Sequence, residues 1–144
     1  MRSLLICLAL SLALVGSLRA EIDMNIIAQI ESNCNPYAFN KSSGAIGLLQ
    51  ITKPVVDEFN QRYSKKELYY EMEELYQIDV NWKIGSWYMN TRIPQMLKHY
   101  KIEDTIDNRL WAYNAGIGNV VKGRKVLETI NYIKKYHKLE RGKR

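Results

Sequence analysis

Apolar residues recur three or four positions apart through most of the chain after residue 21, and this spacing restricts the fold more than any other feature. It is the period of an α-helix that buries one face. No stretch alternates apolar and polar residues for long enough to predict a sheet. A chain of 144 residues suffices for one domain with a substantial core but not for two. We therefore predict a single, mainly α domain with at most a small β element around residues 44–52.

Helix boundaries are predicted from capping residues, prolines and glycines. In the first half we expect a helix capped by Asp23 and ending near Ser32, a helix capped by Thr52 with Pro54 in its first turn, and a short helical segment from Ser64 through Tyr70. In the second half we expect a helix from Ile78 to Asn90 with a kink or restart at Pro94, a helix capped by Asp104 or Thr105 and stopped by Gly116, a short turn at Val120 and Val121 closed by Gly123, and a last helix from near Leu127 past Ile133.

The first twenty residues differ from the rest of the chain. A basic start is followed by an apolar run and by small residues that lead to Ala20, and the first acidic residue comes directly afterwards. This is the pattern of a secretory signal peptide, and the apolar run is too short to span a bilayer comfortably. We expect residues 1–20 to be a signal peptide and residues 21–144 to form the exported domain, located in the periplasm or cell envelope.

The net charge is mildly basic. Removal of residues 1–20 takes away two arginines and no acid, so the formal charge falls from +6 to +4. Much of the excess lies in the tail KKYHKLERGKR, residues 134–144. Such an excess suits an anionic partner, for example a cell-wall polymer or a lipid surface, and it serves solubility equally well.

Cysteine and histidine are scarce. Cys34 is the one cysteine left after the predicted cleavage, and His99 and His137 are the two histidines. A lone thiol in an oxidising compartment is more often buried than reactive, so we expect Cys34 to be buried and to link to no partner. We also expect no metal, no other cofactor and no nucleic-acid partner.

Several polar residues occur in otherwise apolar or helix-ending surroundings. They are Glu31 at the end of an apolar helix, Gln50 inside GLLQIT, Tyr113 and Asn114 inside WAYNAG, and Glu128 and Tyr132 inside ETINYI. Each one alone has an ordinary explanation as a surface residue, a cap or a partner of the backbone. Together they suggest a polar cleft.

Four motifs occur in a fixed order: ES at 31–32, GLLQ at 47–50, AYNAG at 112–116 and ET-x-x-Y at 128–132. This series resembles that of the soluble, lysozyme-like lytic transglycosylases, and the resemblance covers about residues 22–138. It implies a lysozyme-like domain, similar to goose-type lysozyme, that cleaves the β-1,4 bond between N-acetylmuramic acid and N-acetylglucosamine in peptidoglycan.

The same resemblance assigns roles to individual residues. Glu31 matches the catalytic acid and Ser32 the serine after it, Gln50 a residue lining the sugar groove, Tyr113 the tyrosine that hydrogen-bonds the catalytic carboxyl, Asn114 a neighbouring substrate contact, and Glu128 and Tyr132 the late motif that closes the groove. This sequence departs from the usual family pattern at two places. In GLLQ, the family often has methionine in place of the second leucine, and the late motif here lacks the proline that commonly precedes it.

The chemistry of glycoside cleavage favours the same acid. The leaving oxygen needs a proton, and a carboxyl can supply it at neutral pH when an apolar pocket raises its pKa. Glu31 follows Ile27 and Ile30 at a helix end, which suits that role. We expect Glu31 to act alone and to leave 1,6-anhydro-muramic acid ends.

Two alternatives stay open. A hydrolase of the goose type would need a second carboxylate, and the loop after Glu31 has no acid before Asp57. A non-catalytic glycan-binding or assembly protein would have no need of Glu31. The expected partners are peptidoglycan glycan strands. By the same resemblance, a secretion, conjugation or flagellar machine is a further candidate partner, since small relatives serve such machines and some are phage-borne.

Overall fold

The computed structural model describes residues 21–63 and 69–143, and α-helices dominate them. The helices are α1 Met24–Ser32, α2 Lys53–Tyr63, α3 Ile78–Trp87, α4 Ile93–His99, α5 Ile106–Ala115, α6 Ile117–Val121 and α7 Leu127–Gly142. A 3-10 helix, Met72–Tyr76, precedes α3. The only β contacts in the described residues pair Ile46 with Phe39 and with Ile51. The predicted mainly α fold with a small β element is confirmed.

Local signals set several helix ends where they were predicted. The Asp23 side chain caps α1 by accepting a hydrogen bond from Asn25 N at 2.9 Å. Thr105 caps α5 by accepting one from Asn108 N at 3.1 Å. Gly116, with a φ of 80°, ends α5 because its left-handed backbone suits a residue without a Cβ.

The predicted long helix from Ile78 is interrupted before its predicted end. A π-helical turn, Tyr88–Arg92, separates α3 from α4, and Pro94 lies in the first turn of α4. Proline has no N–H, and its ring crowds the carbonyl four residues earlier. The wider π-helical turn accommodates this crowding, so the chain restarts as predicted, but through a π-helical turn.

The connection after α2 differs from the prediction. Residues 64–68 of the predicted helical segment lie outside the described residues, and Tyr69 and Tyr70 are not helical. The buried Asn60 holds Tyr70 instead, because its Nδ2 donates to Tyr70 O at 2.8 Å and its Oδ1 accepts from Tyr70 N at 3.0 Å. The 3-10 helix that follows was not predicted.

A buried amide fixes the turn that leads to Gln50. Asn81 Nδ2 donates to Ile46 O and Leu75 O, each at 2.9 Å, and Asn81 Oδ1 accepts from Leu49 N at 2.9 Å. Gly47 packs tightly against this amide, and a Cβ there would lie 2.6 Å from Leu75 O. The turn is therefore rigidly attached to α3.

Helix α1 crosses the core and packs on α7. Ile26 and Ile27 are almost fully buried, and each such side chain contributes roughly 1.5–3 kcal/mol by leaving water. The Tyr136 hydroxyl on α7 accepts from Asp23 N at 2.9 Å, and Lys143 Nζ donates to Asp23 Oδ2 at 2.7 Å. Both bonds attach the N-terminal end of α1 to α7, and this fixes where the helix begins. None of the helices described is long and apolar enough to cross a membrane.

Candidate active site

Glu31 lies in the last turn of α1, where the helix reaches a cavity of about 250 Å³. We call this cavity the groove. Its lining residues are Glu31, Asn40, Ser43, Ala45, Gln50, Thr52, Tyr113, Asn114 and Glu128. Four separate parts of the chain meet there: the end of α1 with its loop, the turn before α2, the end of α5 and the start of α7. These are the four motif regions.

The Glu31 carboxyl is largely buried, and this changes its acidity. Burial raises the pKa of Glu31 from 4.5 to about 7 because it disfavours the ionised form. A hydrogen bond from Tyr132 lowers that pKa, the nearby Glu128 raises it, and Lys135 lowers it, all less than burial does. Near neutral pH Glu31 can therefore hold a proton that it can donate.

The hydrogen bond to Glu31 comes from Tyr132 and not, as predicted, from Tyr113. Tyr132 OH donates to Glu31 Oε1 at 2.7 Å, whereas Tyr113 OH donates to Leu49 O at 2.7 Å. The reason is packing, since α7 lies beside α1 and places Tyr132 against its last turn. The pKa of both tyrosine hydroxyls is raised well above its usual range, mainly by burial and secondly by the charge of Glu31. Both hydroxyls therefore keep their protons and can donate hydrogen bonds.

Ser32 is engaged with the protein and does not line the groove. Its hydroxyl donates to Leu48 O at 2.9 Å and to Ala28 O at 3.2 Å, and it accepts from Asn35 N at 3.1 Å. These bonds join the end of α1 to the turn at 46–51. Through them the residue that follows Glu31 is held in place, and a contact between Ser32 and substrate stays a prediction.

The two predicted groove amides do line the groove, and each has one end fixed by the protein. Gln50 Nε2 donates to Gly47 O at 3.0 Å. Asn114 Oδ1 accepts from the hydroxyl of the fully buried Thr129 at 2.8 Å. The other end of each amide accepts or donates no hydrogen bond among the described residues, so it is available to a ligand. Contact with a sugar stays a prediction.

Glu128 adds a second carboxylate to the groove. It lies in the first turn of α7, it is exposed, and it is close enough to Glu31 to raise the pKa of that carboxyl. From the sequence, a second acid was expected only in the loop before Asp57, so Glu128 was not recognised as a possible second carboxylate beside Glu31. Within the described residues, no group of three His, Cys, Asp or Glu side chains could hold a metal ion.

Sequence reasoning did not single out Asn40, Ser43 and Thr52 as groove residues. Asn40 Oδ1 accepts from Ser42 N at 3.0 Å, which folds the loop back toward the groove. The signal was present in the polar composition of this loop and in Gly44, whose φ is 70°. Because such a loop is also typical of plain surface, its composition alone does not identify a site.

Cys34 is exposed, and the prediction that it is buried is wrong. Asn33 and Cys34 both have left-handed backbone, with φ of 54° and 60°. Two successive residues of this kind turn the chain sharply away from the end of α1, and the thiol points to solvent as a result.

Comparison with known families decides the relationship. The model of the family described as "Transglycosylase SLT domain" matches residues 21–134, which is more than half of the chain. The chain belongs to this family. Members of the transglycosylase SLT family are lytic transglycosylases that act on peptidoglycan, and the match includes the segments that carry all the groove residues. No curated protein and no solved structure matched the chain.

Proposed function

We propose that this member of the SLT family cleaves the β-1,4 bond between N-acetylmuramic acid and N-acetylglucosamine without water and leaves a 1,6-anhydro-muramic acid end. The observation that carries the proposal is the Glu31 carboxyl. It opens into the groove, it is largely buried, and its pKa is raised to about 7. A carboxyl in this state can give a proton and take one back within a single turnover.

In the first step Glu31 protonates the oxygen that leaves with N-acetylglucosamine, and the bond from that oxygen to the anomeric carbon breaks. The N-acetyl group of the muramic acid shields the cationic centre, so no protein nucleophile is required. In the second step the ionised Glu31 takes the proton of the sugar's own 6-hydroxyl. That oxygen bonds to the anomeric carbon, which closes the anhydro ring and restores the acid.

The hydrogen bonding of the Glu31 carboxyl supports its use first as the acid and then as the base. Tyr132 occupies Oε1, while Oε2 accepts no hydrogen bond from the described residues. The transferable proton is therefore carried on Oε2, which is available to the sugar. The Tyr132 hydroxyl keeps the carboxyl oriented in both protonation states without adding a charge.

A hydrolase is the second candidate, because Glu128 shares the groove with Glu31. In a hydrolase Glu128 would activate a water molecule or attack the sugar. The exposure of Glu128 weakens this reading, since a solvated carboxylate is held less firmly than a buried one. A non-catalytic glycan-binding protein is disfavoured, because burial of the Glu31 carboxyl lowers stability and a protein without catalysis would gain no function from it.

Variants of the two acids test the proposal on purified sacculi. Glu31→Gln keeps the shape of the side chain but has no proton to donate, so we expect a loss of about 10²–10⁴-fold. Glu128→Gln should retain most of the activity. Comparable losses in both variants, with the folds intact, would favour a two-carboxylate hydrolase instead.

We also propose that the protein is exported and works in the periplasm or cell envelope, on the pattern of residues 1–20. Its role would be local wall opening, for example beside a secretion, conjugation or flagellar machine. N-terminal sequencing of the secreted protein should begin at Glu21. A start at Met1 would contradict the predicted cleavage.

A further inference from the structure

A second cavity of about 530 Å³ lies between the end of α2, the π-helical turn, α4 and the start of α6. We call it the basic cavity. Its lining includes Arg62, Arg92, Gln95, His99, Tyr100 and Ile117, and none of the described residues that line it is acidic. Its volume is enough for a short peptide side branch, and the proposed catalytic steps do not use it.

Two guanidinium groups at the basic cavity share one carboxylate. Arg92 Nε forms an ion pair with Glu58 Oε1, and Arg62 Nη2 lies 3.6 Å from the same oxygen. One positive charge of the two is therefore not neutralised within this cluster. The Arg92 side chain is only 22% exposed, so its charge is screened less than that of a surface arginine. A guanidinium has five donors, and Glu58 satisfies few of them.

Two packed tyrosines connect the charged cluster with a residue of the groove. Tyr88 lies on the π-helical turn, and its ring packs against the ring of Tyr113 with centroids 5.8 Å apart. Burial raises the pKa of Tyr88, and the charges of Glu58 and Arg92 act on it in opposite directions, so both charges lie near its hydroxyl. Only one aromatic layer thus separates the charged cluster from Tyr113, which lines the groove.

The chain also links the two cavities directly. Ile117 at the basic cavity follows Asn114 in the groove by three residues, around the Gly116 turn. The end of α5 and the start of α6 therefore carry residues of both cavities.

We propose that the basic cavity binds a free carboxylate of the peptide stem that branches from muramic acid in the groove. This inference rests on the proposed function, because only a peptidoglycan strand carries such a branch. The lactyl group of muramic acid bears a peptide with free carboxylates, and the arginine fork is suited to hold a carboxylate with two parallel hydrogen bonds. The cavity would thereby favour strands whose stems are intact and not cross-linked at that carboxylate.

The kinetic test compares glycan strands that carry stems with strands stripped of their stems by an amidase. Arg92→Gln and the more exposed Arg62→Gln should each raise KM on stem-bearing strands by roughly tenfold, as expected for one charge-assisted hydrogen bond. They should leave kcat, and the kinetics on stripped strands, nearly unchanged. Lys98→Gln is the matched control, because it removes the same charge from α4 at a position that does not line the cavity.

A binding test separates this inference from the proposed function. The wild-type protein is titrated by NMR with the free stem peptide and, in parallel, with inorganic phosphate. The inference predicts shifts of the His99 ring and the Gln95 amide with the peptide, at about tenfold weaker affinity in Arg92→Gln. Shifts confined to other residues, or tighter binding of phosphate than of the peptide, would overturn it. Cleavage without anhydro products would instead overturn the proposed function and leave this result standing.

Discussion

Replacing Glu31 with glutamine should make the protein more stable at alkaline pH. Burial raises the pKa of Glu31 from 4.5 to about 7, so the folded state holds this proton more tightly than the unfolded chain does. The stabilisation by protonated Glu31 is complete below about pH 4.5 and is lost as the pH rises toward and through 7. Above that pH the folded protein carries a charge that it disfavours.

The size of the effect follows from the shift in pKa. About 2.5 pKa units at about 1.36 kcal/mol each give a cost near 3 kcal/mol for the ionised carboxylate, as an order of magnitude. Glutamine is never ionised, and its oxygen can still accept from Tyr132. We therefore expect Glu31→Gln to exceed the wild type in free energy of unfolding by about 3 kcal/mol at pH 8 and by about zero near pH 4.5.

Urea unfolding followed by tryptophan fluorescence at pH 4.5, 6 and 8 measures this difference. Glu103→Gln is the control, because it makes the same chemical change at an exposed position. A Glu31→Gln variant that is equally stable at pH 8, or whose difference from the wild type does not vary with pH, would refute the buried-acid account.

Three further changes test other contacts. Tyr132→Phe removes a hydrogen bond that lowers the pKa of Glu31, so the alkaline limb of the kcat/KM profile should move up by about one pH unit. An alkaline limb at the wild-type pH would contradict the hydrogen bond between Tyr132 and Glu31. Asn114→Ala should lower the free energy of unfolding by about 1–3 kcal/mol because the buried Thr129 hydroxyl loses its acceptor. Adding Thr129→Val to this variant should recover part of the loss in urea unfolding, and no recovery would contradict the pairing of Asn114 with Thr129. Gly47→Ala should destabilise the protein by more than about 1 kcal/mol, because the backbone at Gly47 has a positive φ and an added Cβ would be crowded. An unchanged unfolding midpoint in calorimetry would show that the turn adapts to the added Cβ.

Much of the fold was predictable because its signals are local. Asp23, Thr105 and Gly116 set helix ends through contacts within a few residues, so their effect can be read along the chain. The π-helical turn was not predictable in the same way. Pro94 predicts a disturbance of the helix, but packing against the rest of the molecule decides how the chain absorbs it.

The candidate site was predictable as a set of residues and less so as a set of contacts. The motif series placed Glu31, Gln50 and Asn114 in one polar cleft, where the structure also has them. The hydrogen bond to Glu31 comes from Tyr132, which lies 101 residues away in the sequence. No local pattern distinguishes Tyr132 from Tyr113 as the donor. Cys34 was misjudged because its exposure follows from two left-handed residues that composition does not reveal.

The central claim, that Glu31 serves as acid and then base without water, is tested most directly by digesting purified peptidoglycan in water enriched in ¹⁸O. Mass spectrometry of the released muropeptides then reports the origin of the oxygen at the new end. The account predicts 1,6-anhydro ends that contain no heavy oxygen, since the closing oxygen comes from the sugar itself. Reducing ends that each carry one ¹⁸O would contradict it and would make the protein a hydrolase in which Glu128 activates water.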